Sequence, residues 1–251
     1  MINAIDSHNQ LEFKMIRNER NEDGFTDGEF YAKLQNEPFK LYIKNDRPND
    51  GSEVLYIEGH NNGKALINPN SFPYINLSFN PENSLLLAGG HHSVKEAGFK
   101  IMSKMFKKYD TDYGDLLYEI IQYHGIYKWK DRKCHKISIS YPDYKKMPYY
   151  AKEDETLYRI AEKKLVNVGK LRDYNPDIDD TESLDEGQKV YINNVYAKKA
   201  TIYIDTENYF PIYQMIYDEV GLYEKYLYTF LNLNISFKKE EFSSDYSDYD
   251  F

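Results

Sequence analysis

Period-two alternation constrains this chain of 251 residues more than any other feature. Leu11, Phe13 and Met15 are interleaved with Glu12, Lys14 and Ile16, and Phe39, Leu41 and Ile43 with Lys40, Tyr42 and Lys44. Ile75, Leu77 and Phe79 alternate with Asn76, Ser78 and Asn80, and Ile137, Ile139 and Tyr141 with Lys136, Ser138 and Ser140. Each run predicts an antiparallel strand with one apolar and one wet face. Shorter runs at 54–57 and 66–67 read the same way. Beyond residue 198 come 202–204, 212–217 and 222–231, the last two joined by a turn at 218–221. The aromatic bias agrees, with 26 Tyr beside 13 Phe and 1 Trp. A Tyr ring packs on a pleated surface while its hydroxyl tolerates water.

Helical signals are fewer. Ser93-Val94-Lys95-Glu96 is a capping box that predicts a helix carrying Phe99, Met102, Met105, Phe106 and Tyr109 on one face. Met1, Ile2 and Ile5 read as the end of a short amphipathic helix whose beginning lies upstream. Strands and helices do not alternate on the large scale, which disfavours a doubly wound α/β enzyme. Residues 149–194 break the β rhythm in the order short strand, helix, helix, short strand, and read as an insert.

The formal charge of −9 disfavours a nucleic-acid partner, because phosphate binding needs clustered Lys and Arg. The longest apolar run, Leu85-Leu86-Leu87-Ala88, is far too short for a transmembrane segment. Cys134, alone, excludes an intrachain disulfide and a zinc cluster. The N-terminal residues show neither a basic nor an apolar leader region, leaving a cytosolic protein or an exported one whose signal has been removed.

Catalytic signals are weak. His91-His92 are sequence neighbours with no metal-ligating partner at i+4, and read as a polar helix entry. Cys134 and His135 project to opposite faces of a strand, which disfavours a thiol–imidazole pair. No nucleophile elbow, Walker loop or dinucleotide fingerprint occurs, so no cofactor is expected. The carboxylate pairs Asp179-Asp180 and Glu240-Glu241 sit in turn-like or charged stretches. A non-enzyme is the expectation. The acidic, aromatic end at 243–251 is expected to pack as an extended segment anchored by Phe242, Tyr246, Tyr249 and Phe251.

Two resemblances sharpen this reading. The run Tyr150 to Ala161, with Leu171, Asn175-Pro176, Leu184, Gly187-Gln188, Val190 and Ile192, resembles a LysM module. That resemblance implies a βααβ fold whose two loops, here Asp154, Glu155, Thr156 and Leu157 with Pro176, Asp177 and Ile178, bind N-acetylglucosamine glycans such as peptidoglycan. The chain departs from the pattern at Asp154-Glu155, where the family has Gly-Asp, and at Asn193, where it has Pro.

The remainder, residues 1–148 and 195–251, resembles bacterial envelope proteins with a LolA-like or LppX-like half-barrel. The residues that carry this are Lys14, Glu19-Arg20, Pro38 to Tyr42, Gly51 to Tyr56, Gly59 and Asn62-Gly63-Lys64. Near the end they are Tyr203-Ile204-Asp205, Pro211-Ile212, Tyr217 to Gly221, Glu224-Lys225-Tyr226 and Phe242. The resemblance implies an α+β fold in which a curved antiparallel sheet carries helices on its concave side. It implies a lipid or lipoprotein acyl chain as partner, and the periplasm or outer envelope of a Gram-negative bacterium as location. Candidate lipid-facing residues are Phe39, Leu41, Ile43, Leu55, Ile57, Ile75, Leu77, Phe79, Ile137 and Ile139. The alternative is a structural cell-wall binder whose body is filled.

Overall fold

The computed structural model describes residues 1–83, 86 and 90–251, so Leu85, Leu87 and Ala88 of the apolar run lie outside the described residues. After helix α1 (Ile2–Ser7) come strands β1 (Gln10–Asn21), β2 (Gly24–Gln35), β3 (Lys40–Arg47), β4 (Glu53–Ile57), β5 (Ala65–Asn68) and β6 (Leu77–Phe79). Helices α2 (Lys100–Tyr113) and α3 (Leu116–Ile120) precede β7 (Ile121–Trp129) and β8 (Arg132–Ser140). The insert contributes β9 (Lys146–Tyr150), α4 (Leu157–Lys164), α5 (Val168–Tyr174) and β10 (Lys189–Asn193). The chain closes with β11 (Lys199–Asp205), β12 (Pro211–Tyr217) and β13 (Leu222–Asn232).

Eleven strands form one antiparallel sheet in the order β6-β5-β4-β3-β2-β1-β13-β12-β11-β8-β7. In a flat sheet β3 and β8, six steps apart, would be separated by about 29 Å at ~4.8 Å per step. Yet Ile43 of β3 and Ile139 of β8 line one small cavity, so the sheet is strongly curved. It does not close, because β6 and β7 remain its two ends. Both ends are blunted against edge pairing: β6 has three residues, and the β7 register shifts between Tyr123 and Ile126.

Phe13 sits at the centre of the concave face, in edge contact with Phe30, Phe99 and Tyr228. The capping box does form, with Glu96 accepting from the Ser93 N–H at 3.0 Å, but it closes only a 3-10 turn at Val94–Glu96. Gly98 then takes φ +86°, a conformation that favours glycine, and α2 starts afresh at Lys100. Phe106 and Tyr109 of α2 are buried against Ile139, Tyr141 and Ile202 of the sheet. α1 anchors the outer side of α2, with Asp6 paired to Lys107 at 2.6 Å and accepting from Ser103 at 2.9 Å.

The convex face is covered over β2 to β5 by the C-terminal residues. Tyr249 stacks on Tyr42 at 3.7 Å, Lys33 pairs with Glu241 at 2.8 Å, and the Asp250 N–H donates to Glu53 at 2.7 Å. Tyr42, a wet position by alternation alone, is therefore buried, as is every residue from Leu41 to Ile43.

The insert has its own core of Leu157, Tyr158, Ile160, Ala161, Leu171, Val190 and Ile192, and its strands β9 and β10 pair only with each other. Its sheet opens at Lys146 rather than at residue 149.

Candidate functional site

Between the concave face and α2 lies a cavity of about 120 Å³. Its walls are apolar for most of its length: Met15, Phe30 and Ile43 from one flank, Ala200, Ile202, Ile216 and Ile139 from the other, and Ile101, Met102, Met105 and Phe106 from the helix. Five tyrosines, Tyr109, Tyr141, Tyr196, Tyr226 and Tyr228, also face it. Met side chains adapt to irregular shapes, which suits a surface that must accept more than one conformation of an occupant.

One end is polar. Arg17 and Glu19 of β1 pair at 3.0 Å, and Glu19 accepts the Tyr226 hydroxyl at 2.7 Å. Gly28 of β2 is opposite Arg17 in the register, and a Cβ there would meet the Arg17 Nε at 2.5 Å. The absent side chain makes room for the guanidinium group. His91 Nδ1 donates to Glu224 at 2.9 Å, and its Nε2 faces the Arg20 carbonyl at 3.1 Å. His92 contacts Glu96 at 3.1 Å through Nδ1 and the Tyr196 hydroxyl at 3.0 Å through Nε2. That hydroxyl also donates to Glu224 at 3.0 Å.

Burial pushes the Glu224 carboxyl pKa upward, but hydrogen bonds and charge from His91 and His92 win, and it lies far below the ordinary carboxylate range. Burial pulls the His92 pKa down, but Glu224 and Glu96 outweigh it and raise it well above the usual imidazole value. Glu19, His91 and Glu224 bring one potential ligand atom each within 4.8 Å of the others, a spacing that suits a metal ion. Those atoms are already engaged by Arg17, Tyr226, Tyr196 and one another. The cluster is a closed hydrogen-bond network.

The insert completes this polar end. Asn167, which caps α5 by accepting from the Lys170 N–H at 3.0 Å, turns its amide to Glu224 and Tyr196. Lys170 pairs with Asp218 at 2.7 Å, Tyr223 donates to Asp173 at 2.9 Å, and Ser93 donates to the Tyr158 hydroxyl at 3.2 Å. Burial lowers the Lys170 pKa, yet its bonds to Asp218 and Glu219 raise it overall. The seam between insert and body is polar and charge-paired.

Of the ten expected lipid-facing residues, Ile43 and Ile139 line the cavity. Leu41 lies in the main core with Phe39 packed on it, and Ile137 packs in the cluster beneath α2. Leu55 and Ile57 do not belong to the concave face. Leu55 is opposite Tyr42 in the register, so it shares the convex face, where it and Ile57 line a surface groove with Phe242. Leu77 and Phe79 are opposite Ile67 and Ala65 and so lie on the inner side, but at the sheet edge, where both are exposed; Ile75 precedes the strand and is also exposed. The sequence reading saw His91-His92 only as a polar helix entry and did not join them to Arg17, Glu19 or Glu224.

In the insert, Thr156 caps α4 by accepting from the Arg159 N–H at 3.1 Å, and Leu157 is fully buried. Asp154 takes φ +59°, and Ser183 donates to its carboxylate at 3.3 Å. Burial raises the Glu155 pKa, but the Lys163 ammonium, the Lys152 N–H and the Tyr149 hydroxyl lower it to about 2. The first expected glycan loop and the start of α4 are tied to the segment that follows the second loop, the Tyr158 N–H donating to the Asp180 carbonyl at 2.9 Å and the Leu184 N–H to the Glu155 carbonyl at 2.8 Å. Pro176 and Asp177 are exposed and Ile178 is half-buried.

A family described as "Protein of unknown function (DUF1571)" matches residues 8–187. No curated protein sequence matches the chain. Among solved structures, MucB superposes with a TM-score of 0.46 at 10% identity, over 96% of this chain and 59% of that one, so this chain spans well under two thirds of MucB. The lipoprotein LppX of Mycobacterium tuberculosis gives 0.42 at 10% identity, covering 94% and 93% of the two chains. A LolA superfamily protein from Nitrosomonas europaea gives 0.38 at 10%, covering 98% and 96%.

Proposed function

The chain belongs to the DUF1571 family, and from that premise, which carries no activity, we propose that it is a non-enzymatic binder of a lipid or lipoprotein acyl chain. The observation that carries this is the cavity between the curved sheet and α2, apolar along its length and polar at one end. Its 120 Å³ is close to the ~150 Å³ of an engineered apolar cavity that stays dry and takes up benzene. As it stands it admits a short stretch of chain. A longer acyl chain requires α2 to move outward, and each further methylene buried is worth ~0.8 kcal/mol. The filled-body alternative is disfavoured by the same cavity. An envelope location, with cargo held between membrane and wall, fits this reading.

The insert is the second half of the proposal. Its βααβ order supports docking to peptidoglycan through Asp154, Glu155, Pro176 and Asp177, with Thr156, Leu157 and Ile178 shaping the loops from within. Two modest sites on one chain would reinforce each other through effective concentration.

Native mass spectrometry of the purified full chain, with Nile red uptake measured in parallel, tests the first half. A co-purified lipid, or saturable Nile red fluorescence that the extracted lipid displaces, is the expected result. Absence of both overturns it. Sedimentation with insoluble peptidoglycan tests the insert separately.

A further inference from the structure

The cavity also carries information about what its occupant is, and this inference rests on the lipid-binding reading above. Among the described residues that line it, the cationic side chains are Arg17 and His92. Both are already committed, Arg17 to Glu19 at 3.0 Å and His92 to Glu96 at 3.1 Å. A ligand carboxylate brought into this space would find no cation left to pair with it. It would instead lie against two carboxylates, Glu19 and Glu96, and a buried unpaired charge is strongly disfavoured.

Hydroxyl protons, in contrast, are available. Tyr141 and Tyr228 are at least nine-tenths buried and make no hydrogen bond to any described residue. Tyr109, equally buried, accepts from the Tyr196 N–H at 2.9 Å, and its own proton has no acceptor among the described residues. The Tyr109 and Tyr141 rings meet edge-on at 5.5 Å, so two of these donors belong to the same part of the cavity. None of these hydroxyl oxygens is both fully buried and unpartnered, but three unengaged protons beside one cavity create a place for an acceptor, and so a need for one when the cavity is filled. A water or a ligand carbonyl meets it; a plain hydrocarbon does not.

We propose that the cavity selects uncharged amphiphiles that carry a carbonyl acceptor, ester- or amide-linked acyl chains, over free fatty acid anions, with Tyr109, Tyr141 and Tyr228 as the specificity-determining donors. The linkage carbonyl would accept hydrogen bonds from up to two of these hydroxyls while the first methylenes fill the space between Met102, Met105 and Ile202.

The test uses the full chain loaded with Nile red at pH 8, titrated with two ligands of equal chain length, 1-monolauroylglycerol and sodium laurate, each below its aggregation concentration. The expected result is displacement by the ester at a concentration at least about tenfold lower than by laurate. Replacing the three tyrosines singly with Phe, a change that keeps ring packing, should bring the two curves together several-fold through loss of ester affinity, each variant's curves being referred to its own Nile red affinity. Laurate displacing as well as or better than the ester overturns the selectivity while leaving lipid binding intact. A preference for the ester that all three Phe variants retain overturns the assignment of the donors. Failure of Nile red and both amphiphiles to bind overturns the lipid-binding reading and this inference with it.

Discussion

The body and the insert solve the same packing problem in opposite ways. In the insert, Leu157, Ile160, Leu171 and Val190 are fully buried against one another, and no insert residue lines the cavity. In the body, α2 rests on a sheet that curves away from it and leaves space lined by Met102, Met105, Ala200 and Ile202. Interiors normally fill to crystal-like density, so a void kept between otherwise well-packed elements points to an occupant. The two regions treat charge differently as well. The insert keeps its Glu155–Lys163 pair near the surface, whereas the body buries Glu19, His91 and Glu224 where insert and cavity meet.

The largest expected effect comes from breaking that buried network. Glu224→Gln leaves His91 without its carboxylate and His92 with Glu96 alone, and presents the Tyr196 hydroxyl and the Asn167 amide with a weaker acceptor. Removing one partner of a buried pair costs about 3–5 kcal/mol, and equilibrium urea unfolding should show a loss of that size. A loss below about 1 kcal/mol would mean that the network is solvated and that the two regions do not differ in charge burial.

A matched pair of enlargements probes the packing contrast directly. Ala161→Leu overfills the insert core and should destabilise by about 1–3 kcal/mol. Ala200→Leu at the cavity wall has space to occupy, so its thermal midpoint should stay near that of the parent protein, and Nile red uptake should fall. Equal destabilisation by both changes would show that the body has no more room than the insert.

The strands that sequence exposed were those with bulky residues at every second position, such as β1 with Leu11, Phe13 and Met15, and β8 with Ile137 and Ile139. β2 escaped because its concave row reads Gly28, Phe30, Ala32, Leu34, and two of those four positions are small. Gly28 is small for a reason that no local pattern discloses, the Arg17 side chain lying across it. β7 escaped because its register shift interrupts the alternation. Parity within one strand also does not say which side of a neighbouring strand it matches, so Leu55 and Ile57 fell on the face opposite to the one expected. The polar end was the least legible part. His91 was visible as half of a His-His pair, but its partners Glu19 and Glu224 are 72 and 133 residues away and nothing in the sequence links them to it.

The smallest predicted effect concerns pH and distinguishes the two sides of the network. The folded-state pKa of His92 is raised, so its contribution to stability is complete below the unfolded value of about 6.5 and is lost as pH rises through the folded value. The folded-state pKa of Glu224 is depressed, so its contribution is complete above the unfolded value of about 4.3 and is lost as pH falls toward the folded one. Stability should therefore peak between about pH 4.5 and 6.5 and decline on both sides, with a slope from either group of at most about 1.4 kcal/mol per pH unit. His92→Gln should flatten the alkaline limb while leaving an acid limb, because Glu224 still accepts from His91 and the Tyr196 hydroxyl. Urea midpoints measured from pH 2 to pH 9 for both proteins decide this. An alkaline limb that survives the substitution unchanged would place the titrating group elsewhere and separate the histidine from the network that joins insert to cavity.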